Sequence, residues 1–274
     1  MTNKELKAFV KRMIQEDVIE LLENDLNDLY GKWQNNEKAD KYIFDKRLMQ
    51  SSQHVPENSY LTGVDLPFWF GDLKPKNKKI MVVGIDPLRN KAAFKKANIE
   101  QDVIISTPYA LHSKNARNGI TKAYWAFIES LSANHFVYLT DIYKTFFYVD
   151  EPKMTRSYNY FPKQQRALEN QRSILLKEIN FIKPDIIITL GGIAFLKLTS
   201  KKHIKLDKGI ESNKFSSEEF DNIPILPFMH LSGSNRKKNL QDFLEIHNIK
   251  TMINDRLGYG RAYTEIIENY FNNN

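Results

Sequence analysis

The chain has 274 residues, 42% of them hydrophobic and 27% charged, which suits one large or two small folded α/β domains and excludes a disordered or fibrous protein. It contains no cysteine, which excludes disulfides, cysteine-ligated zinc, cysteine-bound iron–sulfur clusters and a thiol nucleophile. Forty Lys and Arg against 33 Asp and Glu give a formal net charge of +7, a surplus that suits a polyanionic partner without naming one.

No segment approaches the roughly 20 apolar residues of a membrane helix, and residues 1–26 lack the apolar core of a signal peptide. We therefore expect a cytoplasmic protein with no membrane partner. Residues 6–22 carry apolar side chains at spacings of three and four, which predicts an amphipathic helix. Residues 31–78 are mixed and polar, and predict an extended, loop-rich segment. We divide the chain into an N-terminal helical and loop-rich extension, residues 1–77, and a main domain, residues 78–274.

Four short apolar runs in the main domain are rich in β-forming residues and bounded by turn residues; they lie at 80–83, 136–139, 186–190 and 223–226. Amphipathic helices are predicted between and after them, at 121–131, 163–181, 193–198 and 235–271, the last interrupted near Gly258-Tyr259-Gly260. This alternation predicts a parallel sheet covered by helices on both faces. Ligands bind such sheets at the carboxyl ends of the strands, so the residues that follow each strand are the candidates for chemistry.

The first strand is followed by Gly84-Ile85-Asp86-Pro87. A glycine lets the backbone approach a ligand closely, and a proline stiffens the turn, so the carboxylate between them would have a fixed direction. Asp86 could then orient or deprotonate a water molecule. The alternative is a turn in which Asp86 only caps the next backbone amides.

The second strand ends at Thr140-Asp141, and the fourth is followed by His230 and a polar, basic stretch. Asp141 would point into a pocket, or else cap a short following helix. His230 could donate a hydrogen bond to a developing anion, or else be a structural histidine before an ordinary capped helix. The stretch ends in Arg236-Lys237-Lys238, which would open a helix whose N-terminal amides favour phosphate.

Four segments, taken in their order along the chain, resemble the motifs of the uracil-DNA glycosylase superfamily. They are the strand with its Gly-Ile-Asp-Pro turn, FVYLTDIYKT at 136–145, KPDIIITLGGIAFL at 183–196, and HLSGSNR at 230–236. The resemblance covers roughly residues 78–250. It implies a three-layer α/β/α sandwich around a four-stranded, mainly parallel sheet, to which residues 1–77 add a helical extension. It also implies that neither a metal nor an organic cofactor is needed.

The resemblance implies an enzyme of base excision repair that flips a damaged base out of DNA and hydrolyses its N-glycosidic bond. Asp86 would position water and stabilise the cationic sugar, and His230 would donate to the departing base. The substrate-binding residues would be Gly84, Ile85, Pro87, Tyr109, Asp141 and Ser232. Tyr109 would stack on the base, or else be a core tyrosine. The DNA backbone would be contacted by Ser234, Asn235, Arg236 and Lys237.

Asp141 stands where the superfamily's pattern predicts Asn. An amide accepts from uracil N3–H and donates to O4, whereas an ionised carboxylate only accepts, so Asp141 suits an edge with two adjacent donors. A protonated Asp141 would still mimic Asn, and a one-residue shift would put Thr140 at this place. A second departure is His-Leu-Ser for His-Pro-Ser, which keeps His230 and Ser232 and makes Leu231 the apolar candidate for insertion into DNA.

Two other functions stay open on the sequence. One is a non-catalytic nucleic-acid-binding protein on the same fold. The other is an α/β protein whose pocket takes a nucleotide or another small molecule, with the Gly191-Gly192 turn as a phosphate contact. For the glycosylase we expect single- or double-stranded DNA as the partner, a deaminated or otherwise modified base as the substrate, no metal, and a monomer.

Overall fold

A computed structural model describes residues 1–19, 23–34, 42–45, 60–86, 98, 101–119, 121–148, 165–201, 204–231, 237–250, 253 and 255–274. The chain forms two compact units whose segments alternate along the sequence. Unit 1 comprises Met1–Phe68, Asp86–Lys114 and Thr140–Glu178; unit 2 comprises Trp69–Ile85, Asn115–Leu139 and Ile179–Asn274. The two units are defined by contacts in space, whereas the predicted domains, residues 1–77 and 78–274, are defined by order along the chain. The division at residue 78 stays a prediction.

The α-helices of the described residues are α1 Asn3–Met13, α2 Glu23–Gln34, α3 Lys114–Asn118, α4 Lys122–Ser132, α5 Gln165–Ile182, α6 Gly192–Thr199, α7 Lys237–Ile246 and α8 Arg256–Asn273. The strands are β1 Tyr42–Asp45, β2 Tyr60–Asp65, β3 Phe68–Phe70, β4 Lys79–Gly84, β5 Asp102–Ser106, β6 Phe136–Asp141, β7 Thr145–Tyr148, β8 Ile186–Leu190 and β9 Ile225–Phe228. Within the part of the chain that is described, no helix is long and apolar enough to cross a membrane.

Unit 1 contains α1, α2 and a mixed four-stranded sheet in the order β1-β5-β2-β7. A reciprocal cap begins α1: the Glu5 amide donates to Thr2 Oγ1 at 3.2 Å and the Thr2 amide donates to Glu5 Oε2 at 2.6 Å. β5 runs antiparallel to β1 and parallel to β2. The segment 31–78, predicted to be loop-rich, thus contributes β1 and β2, because pairing with distant strands stabilises sequences whose local β pattern is weak.

Unit 2 contains most of a five-stranded sheet in the order β3-β6-β4-β8-β9. β4 pairs in parallel with β8, and β8 with β9. The Phe136 amide at the start of β6 donates to the Lys78 carbonyl at 2.9 Å, so β6 and β4 begin side by side. All four predicted strands are present, but the predicted four-stranded sheet is wrong in number, because the short β3 adds a fifth strand. The α/β class is confirmed, and the three-layer arrangement stays a prediction.

The predicted interruption of the C-terminal helix at Gly258-Tyr259-Gly260 is wrong in position. The helix α7 ends at Ile246, and α8 begins at Arg256, with the Asp255 side chain accepting from the Gly258 amide at 2.7 Å. Gly260 serves close packing of helices instead. A Cβ at this position would lie 2.3 Å from the Ala123 carbonyl oxygen of α4, a distance that no real Cβ contact allows.

Candidate functional site

Asp86 follows the carboxyl end of β4, two residues after Gly84. The strand is buried through Gly84, whereas Ile85 and Asp86 are half-buried, so the chain leaves the core here. Asp86 lies near Tyr143, a side chain with only 8% of its surface exposed. Burial raises the pKa of the Tyr143 phenol, and the charge of the Asp86 carboxylate raises it further. The phenol therefore stays protonated at neutral pH and can act as a hydrogen-bond donor near Asp86.

His230 follows the end of β9, and unit 2 fixes both its backbone and its ring. The buried Tyr263 phenol donates to the Met229 carbonyl at 2.9 Å, which holds the chain directly before His230. The Tyr124 hydroxyl, on α4, lies 2.7 Å from Nδ1 and 3.1 Å from Nε2 of His230. Gly191, at φ = 100°, borders the same side chain, because a Cβ there would lie 3.5 Å from the His230 Cβ. The ring is therefore confined by α4 and by the turn after β8.

Burial lowers the pKa of His230 from 6.5 to about 4. The imidazole is therefore neutral at pH 7, with one nitrogen as a donor and the other as an acceptor. A hydroxyl can donate to the acceptor nitrogen or accept from the donor nitrogen, so Tyr124 can hydrogen-bond to His230 in either tautomer. A neutral imidazole held in this way can donate a hydrogen bond to a developing anion without first losing or gaining a proton.

Asp141 is the last residue of β6, and only 3% of its surface is exposed. Three described residues separate it from β7, and they form no helix, so the alternative in which Asp141 caps a helix is wrong. The ammonium group of Lys144 donates to the Asp141 carbonyl oxygen and to Thr140 Oγ1, the latter at 2.5 Å. The buried Lys144 side chain thus holds the backbone at the end of β6 through hydrogen bonds.

Tyr109 lies in a short turn after β5, with a left-handed backbone at φ = 57°, followed by Ala110 at φ = 53°. Such angles cost non-glycine residues about 1–2 kcal/mol each and are found where a surrounding structure imposes them, often at ligand sites. Thr107 Oγ1 braces the turn by accepting from the His112 amide at 3.2 Å. Tyr109 is half-buried, so the choice between a stacking tyrosine and a core tyrosine stays open.

Five residues that the sequence singled out lie outside the described residues: Pro87, Ser232, Ser234, Asn235 and Arg236. Lys237 is described; it is exposed and opens α7, which agrees with the helix start predicted beside the basic residues. In the described part of the chain, no group of three or more His, Asp or Glu side chains is arranged to hold a metal ion.

The remaining candidate residues are distributed over the two units. Asp86, Tyr109 and Asp141 belong to unit 1, in which Asp86 acts on Tyr143 and Tyr143 lies two residues after Asp141. Gly84, Ile85, His230 and Lys237 belong to unit 2. In the sheet of unit 2, β4 and β9 both pair in parallel with β8, so the strand ends that precede Ile85 and His230 lie at the same edge.

A model of the uracil DNA glycosylase superfamily matches residues 70–249. The chain belongs to the uracil-DNA glycosylase superfamily. No curated protein matches it. The superfamily match contains Asp86, Tyr109, Asp141 and His230, and it leaves α1 and α2 outside. Membership in the uracil-DNA glycosylase superfamily indicates a DNA glycosylase-like function, with DNA as the partner.

Sequence reasoning missed two residues that support the superfamily motifs in this chain, Tyr124 and Glu178. Tyr124 reaches His230 across 106 positions, and Glu178 reaches Lys144 across 34 positions. Tyr124 lies in an amphipathic helix, where the sequence pattern predicts that an aromatic residue belongs to the hydrophobic core. A lysine three residues after the strand end was visible in the sequence, but only the glutamate in the middle of α5 shows that this lysine is buried as an ion pair.

Proposed function

We propose that this protein is a DNA glycosylase that hydrolyses the N-glycosidic bond of a deaminated or otherwise modified base flipped out of DNA. The observation that carries the proposal is the superfamily match over residues 70–249, which includes a carboxylate and a histidine directly after two strands of one parallel sheet. The net charge of +7 suits the polyanionic substrate. Removal of the damaged base would place the enzyme at the first step of base excision repair.

In the proposed reaction the bond between the base nitrogen and sugar C1′ breaks, and its electrons leave with the base. Positive charge develops on the sugar, where the carboxylate of Asp86 stabilises it and orients water for addition at C1′. The proton lost by the water passes to Asp86. A nitrogen-bound hydrogen of neutral His230 donates to the oxygen on the departing base, which carries the negative charge. The lowered pKa of His230 supports this role, because the ring is a neutral donor at the pH of the cell.

The identity of the base depends on Asp141. An ionised carboxylate accepts two hydrogen bonds, which favours a base edge with two adjacent donors, as in guanine-like purines or a protonated cytosine, over the mixed edge of uracil. The strained and half-buried Tyr109 is the proposed stacking surface. The mixed edges of uracil, hypoxanthine and xanthine suit a protonated Asp141 instead, so these three bases are tested side by side.

The test uses purified protein and oligonucleotides that carry one xanthine, hypoxanthine or uracil, in single and double strands. Alkali converts each abasic site to a strand break, which is resolved on a gel. We expect breaks at the damaged base, and single-turnover rates at least about 100-fold lower for Asp86→Asn and for His230→Ala. The matched controls are Asp72→Asn, an exposed aspartate paired with Lys74, and His247→Ala, a second histidine with a lowered pKa.

The controls are expected to keep the wild-type rate. Near-normal rates for Asp86→Asn and His230→Ala would overturn the assigned roles. Absence of cleavage on every base, with DNA binding retained, would overturn the enzymatic proposal and favour the non-catalytic nucleic-acid-binding protein. Absence of DNA binding at moderate salt would instead favour a small-molecule site.

A further inference from the structure

Lys144 and Glu178 form an ion pair that is removed from solvent. The Lys144 Nζ and Glu178 Oε2 atoms are 2.6 Å apart, and the two side chains are 1% and 0% exposed. Burial of two charges carries a desolvation cost that their attraction offsets only when further hydrogen bonds satisfy the remaining donors and acceptors. The remaining donors of Lys144 and acceptors of Glu178 therefore need further hydrogen-bond partners.

The further hydrogen bonds of the pair converge on the end of β6. Lys144 Nζ donates to Thr140 Oγ1 at 2.5 Å and also to the carbonyl oxygen of Asp141. Thr140 Oγ1 in turn donates to Glu178 Oε1 at 2.9 Å. The last two residues of the strand are thus tied to the ion pair through one side chain and one backbone carbonyl. The direction in which Asp141 leaves the strand follows from these ties.

The N-terminal segment borders this network within unit 1. Lys177 is the residue before Glu178 in the chain, and its ammonium group contacts both carboxylate oxygens of Asp17 at 2.7 Å. Tyr30 of α2 is 4% exposed, and its hydroxyl donates to the Pro67 carbonyl at 2.7 Å. Burial raises the pKa of the Tyr30 phenol, and the charge of Glu178 raises it further, so α2 lies within the field of the pair.

The same helix supports the turn that carries the proposed stacking residue. The Trp33 ring packs on the His112 ring with centroids 4.5 Å apart. The Nδ1 atom of His112 lies 3.1 Å from Thr107 Oγ1, which braces the turn containing Tyr109. Trp33, which lies outside the superfamily match, therefore contacts a support of the proposed stacking residue.

We propose that the buried Lys144–Glu178 ion pair is a positioning device that sets the direction of Asp141 toward the flipped base, and so determines which base is accepted. This inference rests on the proposed function. Lys144 and Glu178 do not touch the base; they act through the backbone of Asp141. Tyr30 of α2 lies within electrostatic reach of Glu178, which gives the extension outside the superfamily match a part in base recognition.

The test separates positioning from stability by removing both charges together. Replacement of a whole buried pair by apolar side chains is often neutral for stability, whereas removal of one partner leaves an uncompensated charge. We therefore use Lys144→Met/Glu178→Leu and measure its thermal unfolding and its rates of base release on the best and second-best bases. The matched control is Lys78→Met, which breaks an exposed ion pair with Asp185.

The double variant is expected to unfold within a few degrees of wild type, to release the best base at least about 10-fold more slowly, and to lose most of its preference between the two bases. The control is expected to keep both rate and preference. In an Asp141→Ala background, removal of the pair is expected to change the preference by less than about twofold, because the pair acts through Asp141. The inference would be overturned if the double variant kept the wild-type preference between the two bases. It would also be overturned if, in the Asp141→Ala background, removal of the pair abolished the preference that this background retains.

A second readout does not need catalysis. The 13C chemical shift of the Asp141 backbone carbonyl reports the hydrogen bond from Lys144, and we expect it to move in the double variant and to stay in the control. If wild-type protein releases no base, the proposed function fails while this shift still decides whether the pair holds Asp141. An unmoved shift would overturn the positioning role by itself.

Discussion

The lowered pKa of His230 predicts how the stability of the fold depends on pH. The histidine pKa is 6.5 in the unfolded chain and about 4 in the folded protein, because burial disfavours the charged ring. The unfolded state therefore binds the proton more readily between these two values. The stability from the neutral ring is fully present above pH 6.5 and is lost as the pH falls toward 4. The two pKa values differ by about 2.5, which at about 1.4 kcal/mol per pH unit gives on the order of 3 kcal/mol.

The perturbation that isolates this effect is His230→Gln, which keeps a polar side chain and removes the titration. Urea unfolding followed by tryptophan fluorescence gives the free energy of unfolding from pH 7.5 to pH 4.5. Wild-type protein should lose about 2 to 3 kcal/mol more than the variant over this range. His247→Gln is the companion variant, because burial lowers the pKa of His247 to about 4 as well, with the same sign. Parallel pH profiles for wild type and His230→Gln would refute the reasoning.

Three further predictions concern packing, the histidine partner and DNA. Gly260→Ala should destabilise the fold by about 1–3 kcal/mol in thermal unfolding, because the new Cβ would meet the Ala123 carbonyl at 2.3 Å, whereas Gly31→Ala, with no atom within 4 Å, should be neutral or stabilising. Tyr124→Phe should lower single-turnover base release by about 10-fold with DNA affinity unchanged, because the His230 ring loses a hydrogen bond at 2.7 Å; an unchanged rate would contradict this. The logarithm of the DNA affinity should fall with the logarithm of salt by about 0.9 per phosphate contacted, and a flat profile would argue against a charged DNA interface.

The central strands and several helices were predictable because their patterns are local. The run 80–83 is wholly apolar and the run 186–190 is apolar except for Thr189, as buried parallel strands require, and both lie in the sheet of unit 2. The helix predicted at 163–181 is α5, Gln165–Ile182, because a 3.6-residue period is visible over 18 positions. The mixed sheet of unit 1 escaped prediction, since β1 and β2 depend on strands far away in the chain for their pairing.

The sequence alone also determined the candidate chemistry: an aspartate, a second acidic residue and a histidine after three strands, with no cysteine and a positive charge. Their order along the chain, with the residues around them, was enough to suggest the superfamily that the match over residues 70–249 shows. Only the tertiary structure decided how these side chains are held. Tyr124 at His230, Glu178 at Lys144 and Gly260 at α4 are contacts across large sequence separations. Such contacts leave no periodic trace in the sequence, because burial and hydrogen bonding between distant residues arise only once the chain has folded.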